Sequence, residues 1–315
     1  MHLVFIMDPV STVVVDEDTS FALMAQAERR GHRVSHALAR DISLHHGRPR
    51  ARIAQAKMSR ESTQPVTLSS HEDIALDEVD AIFIRKDPPF DADYLWLTLM
   101  LEPLRGHTLV MNDPRGLRDA NEKLYACHFP ECMPKTLVSS DADAIKNFTQ
   151  SVGGRAVIKP IDGHGGKGIF VLSEGDLNLN AHIESVTEGG SRVAMIQAYL
   201  PEVRVGDKRI LLLDGEALGA ILRVPAAGDA RSNIHVGGSV VAAKLDAADH
   251  RIVEQLRPKL HQDGLYFVGL DVIGGYLTEV NVTSPTGIQQ MSRLDGVSHE
   301  DRVIEWIERR VLERT

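Results

Sequence analysis

Phe267-Val-Gly-Leu-Asp-Val-Ile-Gly-Gly-Tyr-Leu-Thr-Glu-Val-Asn-Val282 reads as two apolar, β-branched strands around a Gly274-Gly275 turn. That pattern predicts a β-hairpin. Asp271, Glu279 and Asn281 interrupt an otherwise apolar element, where burial without a partner would be costly. Glu279 and Asn281 are two apart, so on a strand they share a face. Carboxylate and amide oxygens suit Mg²⁺, which is commonly held by one or two carboxylates while a nucleotide's phosphates fill the other positions. A strict two-residue turn pairs Asp271 with Thr278 and turns Asp271 to the opposite face. An odd-length turn, or one bulge, pairs Asp271 with Leu277 and gathers all three ligands. The metal reading therefore predicts a hairpin that departs from a plain two-residue turn.

Further upstream, Ala156-Val-Ile-Lys-Pro160 and Ile169-Phe-Val-Leu172 read as strands on either side of Asp162-Gly-His-Gly-Gly-Lys-Gly168. Residues 163–168 fit G-x-G-x-x-G, but that dinucleotide pattern needs a helix after the glycines, and a β-branched strand follows here. Nor does a Gly-Lys-Ser/Thr open a helix, so this is no Walker A loop. Gly163, Gly165, Gly166 and Gly168 instead make a flap whose backbone N–H groups can close over phosphates, as protein kinases do. Lys159 is then a natural charge for those phosphates. Met195-Ile-Gln-Ala-Tyr-Leu200 suits the lining of an adenine slot, through Gln197, Tyr199 and Leu200, although core packing explains it equally well.

Arg204, Lys208, Arg209, Arg223 and Arg231 bring positive charge around the strands Arg209–Leu213 and Ala217–Leu222. Phosphoryl transfer needs such charge where negative charge builds up. Between Pro225 and Gly238 the residues are small and polar. That stretch reads as a lid that keeps water from a reactive intermediate.

Towards the N-terminus the pattern changes. A strand over Leu3–Met7, a helix capped at Asp18 and ending at Gly31, and a strand over His32–Ala39 make a βαβ unit. Ala81–Arg85 is a further strand. Lys86-Asp-Pro-Pro-Phe-Asp91 follows as a rigid loop at its carboxyl end, where open α/β sheets bind ligands. A helix over Ala92–Leu104 and a strand over Thr108–Met111 complete this part. Asp113 and Pro114 then suit a helix start. Antiparallel strands with glycine turns dominate afterwards, so the domain boundary is expected near residues 112–122. An amphipathic helix over Asp301–Leu312 ends the chain.

The chain has 315 residues, 43% hydrophobic and 25% charged, with a net charge of −9. This is globular composition that excludes wholesale nucleic-acid binding. No apolar run reaches membrane-spanning length, and no basic n-region marks a signal peptide. Cys127 and Cys132 match neither a zinc knuckle nor a redox pair, which suggests reduced thiols in the cytoplasm.

These pieces together resemble the ATP-grasp ligases, and specifically the bacterial glutathione synthetase family. The resemblance is carried by Met7-Asp-Pro9, Arg85-Lys-Asp-Pro-Pro-Phe-Asp91, Leu117-Arg-Asp-Ala-Asn-Glu-Lys-Leu124, Ile158-Lys-Pro160 with the flap, Gly206-Asp-Lys-Arg209, Asp214-Gly-Glu216 and the hairpin through Leu277-Thr-Glu-Val-Asn-Val-Thr-Ser-Pro-Thr286. It implies a mixed α/β and α+β chain: a Rossmann-like pre-ATP-grasp domain over 1–120, then an ATP-grasp domain over 121–315. The ATP-grasp part has a central lobe over about 121–195 and a C-terminal lobe over about 196–315. It implies ATP contacts from Lys123 and Lys159, and Mg²⁺ or Mn²⁺ held by Asp271, Glu279 and Asn281. Arg209, Arg223 and the lid's Arg231 are then the catalytic arginines. The implied reaction phosphorylates γ-glutamylcysteine and joins it to glycine, releasing ADP and phosphate, in a homotetramer.

The lid, Gly228-Asp-Ala-Arg-Ser-Asn-Ile-His-Val-Gly-Gly238, departs from the family's pattern. Ser232 stands where a glycine is usual, and Ile234, His235 and Val236 replace smaller residues. A paralogous ligase with a different acyl donor or amine therefore stays open. Two readings from another class, a nucleotide sensor without turnover and a dinucleotide-dependent oxidoreductase, meet contrary features. The full set of ligands, lysines and arginines argues against the sensor, and the strand after the flap argues against the oxidoreductase.

Overall fold

The computed structural model describes residues 1–163, 165–225 and 239–314. The elements in chain order are β1 (His2–Met7), α1 (Thr19–Arg29), β2 (Arg33–Ala37), β3 (Ile42–His45), β4 (Arg48–Met58), β5 (Val66–Ala75), β6 (Ala81–Arg85), α2 (Ala92–Leu101), β7 (Leu109–Met111) and α3 (Pro114–Asp119). Then come β8 (Thr136–Ser139), α4 (Ala142–Ser151), β9 (Arg155–Pro160), β10 (Phe170–Ser173), α5 (Leu179–Thr187) and β11 (Ala194–Ala198). The last group is β12 (Asp207–Leu213), β13 (Glu216–Val224), β14 (Ser239–Ala243), α6 (Ala247–Asp263), β15 (Phe267–Ile273), β16 (Tyr276–Asn281), α7 (Ile288–Asp295) and α8 (His299–Leu312).

The first sheet runs β3-β4-β2-β1-β6-β7, with β5 paired to β4. Its β2-β1-β6-β7 part is parallel, and β1, β6 and β7 are apolar on both faces along most of their length, as buried parallel strands are. Asp18 caps α1 through its side chain, which accepts from Phe21 N–H. Asp113 caps α3 in the same way, with Pro114 in the first turn. The antiparallel extension β3-β4-β5 was not anticipated from the sequence. The helix expected over Ala92–Leu104 ends at Leu101 and finishes in a 3₁₀ turn over Glu102–Leu104.

The second sheet, β10-β9-β11-β8, and the third, β14-β13-β12-β15-β16, are antiparallel. The second has a small core of its own, around Ile145, Ile158, Leu172, Ile183 and Ile196. The two larger cores each join side chains of the first and third sheets. Asn112 links those sheets directly. Its Nδ2 donates to Phe267 O (2.9 Å) and Val282 O (2.8 Å), and its Oδ1 accepts from Tyr266 N and Phe267 N, both at 2.8 Å. Helices α1 and α8 close the same union through Arg30, which pairs with Asp301 and Glu308 at 2.7 Å each.

Candidate active site

A cavity of about 580 Å³ opens where the three sheets meet. The β15–β16 hairpin forms one wall. Its turn is the plain two-residue one, with Ile273 opposite Tyr276 and Val272 opposite Leu277. One bulge follows, so that Asp271 pairs with Glu279 and Gly269 with Asn281. The expected pairing of Asp271 with Leu277 is therefore corrected. The irregularity lies on the outgoing strand, where Thr278 is the extra residue. The consequence for the ligands is the expected one, since cross-strand partners share a face.

The alternation of β12 sorts the next charges. Asp207 and Arg209 line the cavity, while Lys208 points to the other face and pairs with Asp246 (3.0 Å) and Asp249 (2.5 Å). Of the cations expected near the phosphates, Lys208 thus does not reach the cavity wall, because a strand sends successive side chains to opposite faces, and Arg204, in a 3₁₀ turn over Pro201–Arg204, does not line it either. Arg209 grips Asp271 with two nitrogens, at 2.6 Å and 3.2 Å. Arg223 reaches Asp271 at 2.9 Å and also bonds Asp207.

Burial opposes the ionisation of Asp271, but the two guanidinium groups outweigh it and hold the carboxyl below the usual carboxylate range. Burial pushes Asp207 up to about 6, aided by Asp271 and resisted by Arg223. Burial also opposes the charge on Arg223, yet Asp207 and Asp271 raise its pKa above the ordinary arginine value.

The opposite wall comes from the second sheet. Lys159, Gly165, Gly166, Gln197, Tyr199 and Leu200 all line the cavity. Lys159 Nζ donates to Gln197 Oε1 at 2.7 Å, and burial lowers its pKa. In the flap Gly165 and Gly166 take φ of 65° and 77°, a region costly for residues with a Cβ. A strand does follow the flap, antiparallel to β9. Gly163 and Lys123 line a neighbouring recess of about 100 Å³ instead. Lys123 Nζ bridges Gly163 O (2.5 Å) and Glu279 (3.0 Å), which fixes the flap's base to the hairpin. The expected lid, 225–238, falls outside the described residues beyond Pro225, and Arg231 with it.

The chemistry of the donor set fits a hard divalent cation. Two carboxylates stand cross-strand, and the Asn281 amide nitrogen donates to Gly269 O (3.3 Å), leaving its oxygen as the ligand atom. Ionised carboxylates keep acceptor capacity beyond the bonds to Arg209, Arg223 and Lys123. No cluster of three or more His, Cys, Asp or Glu suited to a metal occurs among the described residues, so a metal here would depend on the Asn281 oxygen as its third protein ligand.

Sequence reading gave no role to Arg85, Glu122 or Asp207. Arg85 ends β6 beside Met7, at the carboxyl end of the parallel strands. Glu122 accepts from Val282 N, Thr283 N and Thr283 Oγ1 at 3.1, 3.1 and 2.7 Å, which ties the segment after α3 to the end of β16. Asp207 was findable from its alternation with Arg209.

The fold is that of the ATP-grasp ligases. Solved structures similar to it over nearly the whole chain include D-cycloserine synthetase DcsG (TM-score 0.65, 15% identity, 98% of this chain and 99% of that one). Another is the ATP-grasp ligase PsnB complexed with precursor peptide PsnA2 and AMPPNP (TM-score 0.62, 13% identity, 98% of each chain).

Sequence comparison is more specific. The pattern described as "Prokaryotic glutathione synthetase, N-terminal domain" matches residues 1–118, and "Prokaryotic glutathione synthetase, ATP-grasp domain" matches residues 122–296. The chain belongs to the prokaryotic glutathione synthetase family. It is 48% identical over 313 residues to glutathione synthetase of Gloeobacter violaceus, covering 98% of this chain and 96% of that protein. It is 43% identical over 319 residues to that of Synechocystis sp., covering 98% and 99%.

Proposed function

We propose that this chain is an ADP-forming ligase that makes glutathione from γ-glutamylcysteine and glycine in the 580 Å³ cavity. The observation that carries the reading is the Asp271–Glu279 pair with Arg209 and Arg223 on one wall, opposite Lys159 and the glycine flap on the other. Lys159 and the flap's N–H groups hold the ATP phosphates. Gln197, Tyr199 and Leu200 contact the base, and Lys123 steadies the flap from behind Glu279. Asp271, Glu279 and Asn281 hold Mg²⁺ or Mn²⁺, which when bound neutralises phosphate charge.

The substrate carboxylate takes the γ-phosphoryl group, and ADP leaves. Glycine's amine then attacks the acyl carbon; the C–N bond forms, the C–O bond to phosphate breaks, and the amine loses a proton. Arg209, Arg223 and Arg231 stabilise the charge that builds on the phosphoryl group and on the tetrahedral carbon. We read residues 1–120 as the pre-ATP-grasp domain and 121–315 as the ATP-grasp domain. We also read the protein as a cytoplasmic homotetramer. Both cysteines are free, and Trp96 and Leu99 leave an apolar surface open on α2.

ADP release measured with γ-glutamylcysteine and a panel of amines tests this. The expected result is ADP formation dependent on both substrates, fastest with glycine, and ¹⁸O passing from the γ-glutamylcysteine carboxylate into phosphate. AMP and pyrophosphate as products, or equal rates with a different acyl donor, would overturn it.

A further inference from the structure

One guanidinium group of the second sheet has an aromatic ring for its partner instead of a carboxylate. Arg155 opens β9, and its Cζ lies 4.0 Å from the centroid of the Tyr199 ring. That is well inside the ~6 Å at which a cation is drawn to a ring face. Among the described residues the Arg155 side chain has no hydrogen bond or ion pair. Arg30, Arg48 and Arg192, by contrast, are each held by carboxylates.

The strand register places this pair. In the antiparallel ladder of β11 and β9, Ala198 stands opposite Ala156, Gln197 opposite Val157 and Met195 opposite Lys159. Tyr199 N donates to Arg155 O at 3.2 Å and extends the ladder by one step. Cross-strand partners share a face, and so do alternate residues of one strand. Arg155, Val157 and Lys159 therefore make one row, with Tyr199, Gln197 and Met195 opposite them. Val157, Lys159, Gln197 and Tyr199 line the cavity, while Ala156, Ile158 and Ile196 fill the sheet's own core on the other face. Arg155 is four residues from Lys159, roughly 13 Å along a strand. A nucleotide spans a comparable length from its terminal phosphates to its base. With Lys159 at the phosphates, the Arg155–Tyr199 pair marks the base end of the row.

We infer that Arg155 is a positioning residue for nucleotide binding, holding the Tyr199 ring in place against the base. Arg155 is exposed and does not itself line the cavity, so it acts through the ring. A tyrosine at a cavity's mouth can change rotamer, and each binding event must then stop that motion. A cation on the ring face fixes the side chain beforehand, which lowers the cost of ordering it. The base's place beside Tyr199 rests on the proposed function.

The test is calorimetric binding of the non-hydrolysable ATP analogue AMPPNP, with Mg²⁺, to the intact protein. Arg155→Met keeps an unbranched stem and removes the charge. It should weaken AMPPNP binding by about two- to fivefold, the range for a cation on an aromatic ring at an open site. Arg155→Lys should keep most of the affinity. Inorganic tripolyphosphate, which has no base, should bind the wild type and Arg155→Met equally. In a Tyr199→Ala background Arg155→Met should have no further effect, because two residues in contact act as a unit. In turnover, KM for ATP should rise by the same factor while kcat stays.

Equal losses for AMPPNP and tripolyphosphate would show a general effect of charge and overturn the inference. A full Arg155→Met effect in the Tyr199→Ala background would overturn it too. Wild-type AMPPNP affinity in Arg155→Met, beside a weakened Tyr199→Ala, would overturn the inference alone and leave the base slot standing. Unchanged AMPPNP binding in Tyr199→Ala would overturn the base slot as well. The expected binding pattern without glutathione formation would overturn the proposed reaction and leave the role of Arg155 standing.

Discussion

Asp271 and Glu279 face each other across the β15–β16 hairpin because Thr278 is bulged out of the ladder between them. The pair is asymmetric. Asp271 is buried and held by two arginines, whereas Glu279 is partly open and held, among the described residues, by Lys123 alone.

That asymmetry separates their mutants. Glu279→Gln should stay folded and lose most activity, since a carboxamide is a poorer ligand for a hard cation. A fall in kcat of about 100-fold or more is expected, in the range of other losses of charge stabilisation in active sites. Metal titration of the variant should show a weakened requirement curve. Undiminished turnover in chelator-treated wild type would contradict the metal assignment.

Asp271→Asn should instead be a stability mutant. It leaves the Arg209 and Arg223 charges buried beside a neutral amide. Removing one member of a buried ion pair costs about 3–5 kcal/mol. Urea denaturation should show that loss even without nucleotide, and a midpoint matching wild type would refute it.

Lys159→Ala should lower turnover by about 100–1,000-fold, as expected for loss of one preorganised charge donor, with a wild-type fold by circular dichroism. Its Nζ bonds only the Gln197 side chain among the described residues, so little folding energy depends on it. A variant that binds and turns over ATP normally would remove Lys159 from the phosphate site.

Gly116→Ala should destabilise the protein without touching the cavity. A Cβ there would lie 2.1 Å from Asp263 O, a backbone atom at the end of α6. Overpacking of this kind costs about 1–3 kcal/mol. A thermal midpoint equal to wild type would show that α3 and α6 can separate freely.

The pH dependence follows from Asp207, whose folded pKa is pushed up to about 6 from 3.8. A raised carboxyl binds its proton more tightly in the folded state. Its contribution is therefore present below about pH 4 and lost as pH rises through about 6. In metal-free protein, Asp207→Asn should gain stability relative to wild type across that window, by an amount on the order of 3 kcal/mol at most. A pH-independent difference between the two would place the carboxyl's titration elsewhere.

The hairpin was legible because polar residues interrupting an apolar, β-branched run demand a partner. The flap was legible because its four glycines sit between strands. Arg85 was not legible. A lysine and an aspartate follow it in sequence, and it becomes buried only when α1 and the loop around Pro285 close over it. Strand β5 escaped notice because it alternates weakly, with most of its ten residues open to water. The choice between Lys208 and Arg209 required only the strand period, which sends Asp207 and Arg209 together to one face. The bulge at Thr278 has no residue signature of its own; it appears only through its effect on register.

Asn112 puts four hydrogen bonds, three of them buried, between the end of the first sheet and the third. Separating those sheets would strand four backbone groups and one amide away from water, so first and last thirds of the chain behave as a single anvil. The second sheet, with its own small core, lies between them in sequence and joins that union through Met195 of β11. The joint between the second sheet and the other two therefore holds fewer buried apolar side chains than the joint between the first and third.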